Sequence, residues 1–295
     1  MKRRHFLRQS SLTAFALSTT GFIHFDGKRF VGDCQTTTDI LGPFYRPDAP
    51  VRSNLVLEHM KGDIVRLAGS VFHDDCSTPI ENAKVELWHC SADEVYDNDS
   101  NAYNYRGTIY SDASGHYHFR TQMPVPYDAG GGMYRPAHFH LMISAPGYQN
   151  LITQLYFSGD PYLQKDASSR TAEAESRTLT PEKDAEGNTL IPFNVIMQKQ
   201  LPADPVALTR LAGMYKGEED RAFDFFVHED QLWMRNEVFG QVLRYLGNNT
   251  FEPPAGGEWN RPQLKFDIKP DGKVKLAFTI MRNNGEKIVH QAMKM

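Results

Sequence analysis

MPVPYDAGGGMYRPAHFHLMISAPGYQNLITQLYF, residues 123–157, is the stretch around which the rest of the chain is organised. Inside it, His138 and His140 stand two residues apart in a run that reads as a strand. Successive strand side chains point to opposite faces, so both imidazoles emerge on one face. Phe139, Leu141 and Ile143 then share the other face and can pack into a core. Two imidazoles on a rigid strand suit a transition metal, because neutral histidine nitrogen is a borderline ligand and the strand fixes the bite. His-x-His alone is a weak signal. Its company strengthens it: Tyr127 upstream, Arg135-Pro136 directly before, and Gln154 on the next strand.

The chain holds a decoy with the same spacing, His116 and His118 in "SGHYHFRT". There Tyr117, Phe119 and Thr121 occupy the face that should pack inward, which leaves His116, His118 and Arg120 towards solvent. Facing direction, not spacing, separates the two pairs.

The same alternation marks residues 65–73, 83–90, 116–121, 137–145 and 150–157 as strands. "DDCSTPIEN" supplies turn chemistry, "SDASG" reads as a hairpin turn, and "APGYQN" joins the last two strands as a hairpin. Residues 161–187 are polar and charged, and read as a long surface excursion. Residues 188–200 return as a strand. Repeated short strands with almost no helical periodicity predict an all-β chain built on an antiparallel β-sandwich. Residues 209–295 repeat the all-β rhythm in "RAFDFFVH", "QLWMRN", "QVLRYL", "QLKFDI", "KVKLAFTIM" and "EKIVHQAM", predicting a small barrel or curled sheet. The expected division is a sandwich over 25–201, a linker over 202–208 and the small all-β domain over 209–295. The last carries no catalytic motif. A structural or dimerisation role is its default, with Trp233, Phe225 and Phe226 as candidates for aromatic-ligand capture.

With 295 residues, 40% hydrophobic and 12% aromatic, the chain can bury a sizeable core. A net charge of −4 without a Lys/Arg-rich face argues against nucleic acid or an anionic membrane as partner. The start, "MKRRHFLRQSSLTAFALSTTGF", has paired Arg3-Arg4 before a weakly apolar stretch that is too short and polar to span a bilayer. It resembles a twin-arginine export signal, so residues 1–24 are expected to direct a folded protein to the periplasm or the outside. Three cysteines, Cys34, Cys76 and Cys90, allow one disulfide there and leave one thiol; spacing does not say which pair forms.

"RPAHFH" after "PVPY", followed by "SAPGY" and "TQLYFSGD", resembles the iron-binding core of the intradiol ring-cleavage dioxygenases. The resemblance covers about residues 34–199 and implies a β-sandwich holding non-haem Fe(III) through two tyrosines and two histidines. Tyr127, His138 and His140 match three of these ligands, and Tyr96 in "VELWHCSADEVYDN" stands where the fourth is expected. Arg135 matches the family arginine that stabilises developing negative charge, and Gln154 the glutamine beside the substrate. The "GPFYRPDAP" segment matches an arm at the active-site mouth, where Phe44 and Tyr45 either line the pocket or anchor the arm. The implied reaction is ring cleavage of a catechol between its two hydroxylated carbons with O2, giving a cis,cis-muconate-type dicarboxylate. Tyr127 would leave the metal as the catechol binds and accept one of its protons.

The first rival is an exported β-sandwich that binds aromatic ligands without catalysis; oxygen uptake separates the two. A second is a zinc hydrolase using His138 and His140 with a carboxylate, although the motif supplies tyrosines. The particular catechol is open. The chain reaches "GPFY" soon after the signal, which leaves no room for the long helical dimerisation arm of some relatives, so any homo-oligomer would use another surface.

Overall fold

The structure is a computed structural model that describes residues 34–185, 187–218, 221–237, 239–253, 262–282 and 285–295, and the backbone of 23–25 and 30–32. Residues 1–22 of the expected export segment lie outside the described residues. Two three-residue strands, β1 (Ile23–Phe25) and β2 (Phe30–Gly32), pair antiparallel before the main body begins.

The sandwich is built from β3 (Ile64–Phe72), β4 (Lys84–Trp88), β5 (Arg106–Tyr110), β6 (His116–Gln122), β7 (Tyr127–Asp128), β8 (Tyr134–Arg135), β9 (His138–Ser144), β10 (Leu151–Phe157), β11 (Thr178–Leu179), β12 (Glu182–Lys183), β13 (Thr189–Pro192) and β14 (Val195–Ile196). One sheet runs β11-β10-β9-β4-β5; the other is centred on β3, with β6 on one side and β13, then β14, on the other. Three short pairings, β10 with β11 and β3 with β13 and β14, are parallel within an otherwise antiparallel sandwich.

Alternation sets what lies between the sheets. Val85 and Leu87 of β4, Phe139, Leu141 and Ile143 of β9, and Leu151 and Leu155 of β10 meet Val65, Leu67, Val71, Tyr117 and Phe119 from the opposing sheet. Burial of this apolar surface is the main favourable term in folding this half of the chain. His116, His118 and Arg120 are exposed on β6 while Tyr117, Phe119 and Thr121 are buried, as the alternation requires.

Two readings of the sequence need correction. "SDASG" does not close a hairpin, because β5 pairs with β4 and β6 with β3; the turn carries the chain from one sheet to the other. Residues 188–200 form not one strand but two, β13 and β14, broken at Phe193-Asn194. At that break the Phe193 amide donates to the Ala68 carbonyl, and a Cβ on Gly69 would stand 1.8 Å from the Phe193 oxygen. The surface excursion read over 161–187 holds for most of its described residues, but it is anchored at several points. Ser168, Ser169, Ala174 and Arg177 are buried, and Ala172–Glu175 forms one turn of helix.

Across the end of the stretch read as a linker and the start of the small all-β domain, Pro205–Leu211 forms a helix capped by Asp204, whose side chain accepts from the Val206 amide at 3.0 Å. Leu208 and Leu211 are buried in the core of the following sheet. That sheet comprises β15 (Gly213–Gly217), β16 (Ala222–His228), β17 (Gln231–Met234), β18 (Gln241–Val242), β19 (Arg244–Gly247), β20 (Thr250–Glu252), β21 (Gln263–Ile268), β22 (Val274–Met281) and β23 (Lys287–Lys294). Its order is β18-β17-β16-β15-β23-β22-β21-β20-β19. The two edge strands, β18 and β19, are separated only by Leu243, so the nine-stranded sheet curls until its edges almost meet, as a barrel does.

Candidate active site

The site lies on the outer face of the β11-β10-β9-β4-β5 sheet, away from the sandwich core. Glu86 and Trp88, His138, His140 and Met142, and Ile152, Gln154 and Tyr156 are the residues that alternation sends there. Register aligns them: His140 lies opposite Trp88 on one side and Gln154 on the other, and His138 lies opposite Tyr156. Every residue of β9 from His138 to Ile143 is buried, because this outer face is itself covered by a second, largely aromatic cluster.

Tyr96 reaches this face from the loop after β4. The Ser91 amide donates to the Val95 carbonyl at 2.8 Å, and the Ser91 hydroxyl accepts from the Asp93 and Val95 amides. On the other side, Asp97 accepts from the Ser100 and Asn104 amides. Two side-chain-anchored turns thus fix the loop on either side of Tyr96 and turn its ring inward. Buried Arg106 then ties the loop to the arm, donating to the Asp97 carbonyl at 2.7 Å and the Phe44 carbonyl at 2.6 Å. Tyr127 opens β7 and pairs across the hairpin with Arg135 on β8.

The structure brings Tyr96, Tyr127, His138 and His140 together. His138 Nδ1 lies 2.6 Å from the Pro136 carbonyl oxygen, which only accepts, so that nitrogen carries the hydrogen. Its Nε2 is left with a lone pair, 3.1 Å from His140 Nε2 and 3.5 Å from the Tyr96 hydroxyl. The Tyr96 and Tyr127 ring centroids are 5.4 Å apart, and that of Tyr127 is 5.7 Å from that of His138. Gly42, at φ +74°, brings the arm close enough that a Cβ there would lie 3.1 Å from His140 Cε1.

Electrostatics favour neutral imidazoles. Burial, then the Arg135 guanidinium, pulls the His138 pKa down to about 3, and burial, then His138 and Arg135, takes His140 well below its ordinary value. Burial pushes both phenols up, Tyr96 with a further rise from Tyr127, and Tyr127 against an opposing pull from Arg135. Two buried imidazole nitrogens facing each other at 3.1 Å, beside two buried phenols, form a donor set short of positive charge. A bound cation would supply that charge and make the phenolates accessible. Two hard oxygens with two borderline nitrogens fit ferric iron. Among the described residues no group of three or more His, Cys, Asp or Glu is arranged to hold a metal, so the tyrosines are essential to the fit.

Arg135 is engaged in an ion pair: its Nε lies 3.0 Å from Asp166 Oδ1, and one terminal nitrogen donates to Gln154 Oε1 at 2.9 Å. Gln154 is bonded at both ends of its amide, since its nitrogen also donates to the Ile40 carbonyl at 2.7 Å. It therefore holds Arg135 and the arm together. Behind them the Tyr156 hydroxyl lies 3.0 Å from both Asp39 Oδ2 and Gln154 Oε1, and Arg177 pairs with Asp39 at 2.5 Å. Asp166, Tyr156, Asp39, Arg177, Arg106 and Trp88 escaped the sequence reading. Only Trp88 and Tyr156 carried a usable signal, being even-spaced neighbours on strands already assigned. Cys34 and Cys76 are joined as a disulfide, and Cys90 is a buried free thiol.

A family model described as Dioxygenase matches residues 40–198. The chain is 35% identical over 188 residues to a chlorocatechol 1,2-dioxygenase of Rhodococcus opacus, covering 55% of this chain and 72% of that one. It is 35% identical over 152 residues to a catechol 1,2-dioxygenase of Candida albicans, covering 45% of this chain and half of that one. The crystal structure of a catechol 1,2-dioxygenase from Pseudomonas arvilla C-1 superposes with a TM-score of 0.51 at 26% identity, covering 68% of this chain and 70% of the other. With its site face, its sandwich and these relatives in agreement, the chain belongs to the intradiol ring-cleaving dioxygenases.

Proposed function

We propose that this enzyme cleaves a catechol-type ring between its hydroxylated carbons at a ferric iron held by Tyr96, Tyr127, His138 and His140. The observation that carries the reading is the meeting of two phenols and two neutral imidazoles on one buried face beside Arg135. Bound iron would accept charge from a chelated catecholate and so make the ring reactive towards O2.

The chain's own residues do the rest. Tyr127, on the edge hairpin, would hold the iron as a phenolate, and its phenolate oxygen is placed to take a catechol proton and become the neutral phenol. Arg135, held by Asp166 and Gln154, presents fixed positive charge where anionic oxygen develops, and being preorganised it needs no rearrangement during reaction. His138 keeps its tautomer through Pro136. Phe44, stacked on Tyr96 with ring centroids 4.2 Å apart, walls the site with an apolar surface that limits water.

The substrate class we propose is a catechol or a substituted catechol such as a chloro- or hydroxy-derivative, the classes named for the relatives. We further propose export by the twin-arginine-like start; the Cys34–Cys76 disulfide supports an oxidising destination. Metal analysis with oxygen uptake on a catechol series tests the function. One iron per chain and a muconate-type product support it; no iron and no uptake refute it.

A further inference from the structure

The family match ends at residue 198, and nothing in it accounts for the nine-stranded sheet that follows. The sheet touches the site-bearing face directly. Trp233 of β17 is fully buried, with its indole nitrogen donating to the His228 carbonyl at 3.1 Å, and its ring is parallel to that of Tyr45 at 6.5 Å and 17°. Tyr45 in turn stands edge-on to Trp88 at 5.1 Å, and Trp88 lies flat on His140 at 4.9 Å and 8°. Four rings from four segments therefore form one buried column that ends on a candidate metal ligand.

The arm carries the same contact to a second ligand. Phe44, beside Tyr45, stacks on Tyr96, so whatever fixes Tyr45 also fixes the residue against that phenol. Phe239 closes the column from the side, at 5.4 Å from Tyr45 and 5.3 Å from Trp233. Packed aromatic interiors are dense and transmit displacement, because a ring that loses its neighbour has no other surface to rest on. Polar contacts also join the two halves at this interface, notably Gln231 Nε2 to Asn150 Oδ1 at 2.7 Å, but they lie outside the column.

We propose that the C-terminal sheet is a positioning element for the metal site, acting through Trp233 on Tyr45, and through Tyr45 on Trp88–His140 and Phe44–Tyr96. The proposal rests on the ferric reading of those ligands. Trp233 is not a catalytic residue; it sets how firmly two ligands are held.

The test uses the iron-loaded full chain and compares Trp233→Ala, Trp233→Phe and Gln231→Ala. The readouts are iron release to excess chelator, the phenolate-to-iron absorption band, and KM against kcat for catechol. Trp233→Ala is expected to release iron about tenfold faster, the scale on which outer-shell partners act, with a shifted band. Trp233→Phe restores retention to near wild type. Gln231→Ala lowers thermal stability but leaves iron release unchanged. Should Trp233→Ala not fold, Trp233→Leu takes its place under the same criteria. Wild-type release and band in Trp233→Ala, or equal loosening by Gln231→Ala, overturns the positioning role while leaving the ferric site standing. A wild-type chain that takes up no iron overturns both.

Discussion

Trp88 and His140 face each other across β4 and β9, with ring planes 8° apart and centroids separated by 4.9 Å. The register that creates this pair also places Gln154 on the other side of His140, so one ligand is fixed by its two neighbouring strands at once. Removing the indole leaves a cavity directly behind the imidazole. Trp88→Ala is expected to cost about 4 kcal/mol by denaturant unfolding of the apo-protein, and Trp88→Phe distinctly less. Equal stability of wild type and Trp88→Ala would show that the stack contributes nothing.

The Arg135–Asp166 pair is largely buried, with side-chain exposures of 12% and 11%. Asp166→Asn leaves the guanidinium without its carboxylate and is expected to cost about 3 kcal/mol. It also frees Arg135 to shift, so catechol cleavage should fall about tenfold or more. Steady-state kinetics beside urea unfolding separates the two effects.

Tyr127→Phe removes the phenol that we assign to proton acceptance. Its kcat is expected to fall by roughly a hundredfold, with part of the visible absorption of the iron-loaded protein lost. His118→Ala, on the exposed face of β6, is expected to change neither quantity. A colour change in His118→Ala would mean that strand alternation had misidentified the pair.

Alternation made much of this legible. It chose His138 and His140 over His116 and His118, because the apolar residues between them must face a core. It also gave both β-rich halves of the chain. Tyr96 was beyond it, since a residue on a loop has no period; only the family motif located it. Asp166 and Arg177 were hidden for a different reason. They sit in a polar stretch that reads as a surface excursion, yet Arg177 is buried and Asp166 largely covered, each pairing with a distant charge, and no local pattern announces a partner 31 or 138 positions away. Trp233 looked like a surface candidate for ligand capture because nothing in its own strand reveals that Tyr45 lies beneath it.

Acid sensitivity should include a separable contribution from His89, which is fully buried and lies outside the set of Tyr96, Tyr127, His138 and His140. Its Nδ1 donates to the Cys90 carbonyl and its Nε2 accepts from the Thr121 hydroxyl, and burial lowers its pKa from 6.5 to about 4. The unfolded chain therefore takes up this proton first. The stabilisation is complete above pH 6.5 and drains away as pH falls towards 4, amounting to about 3 kcal/mol at the limit. Unfolding of the apo-protein across that range should show a steeper loss in wild type than in His89→Gln; parallel curves would exclude His89 as the cause.

Cys34 and Cys76 close a loop with a sequence separation of 42. Reducing this bond is expected to lower stability by about 4 kcal/mol on chain-entropy grounds. Protein isolated without reductant should resist thiol labelling at both positions; full labelling would contradict the disulfide.

The central claim is tested most directly by oxygen uptake of the iron-loaded chain with catechol, with the product identified. The account predicts one O2 consumed per ring and a cis,cis-muconate-type dicarboxylate as product, both lost when chelator strips the iron and both restored by iron. A ring-opened aldehyde, or uptake that persists in Tyr96→Phe and His140→Ala, would contradict it.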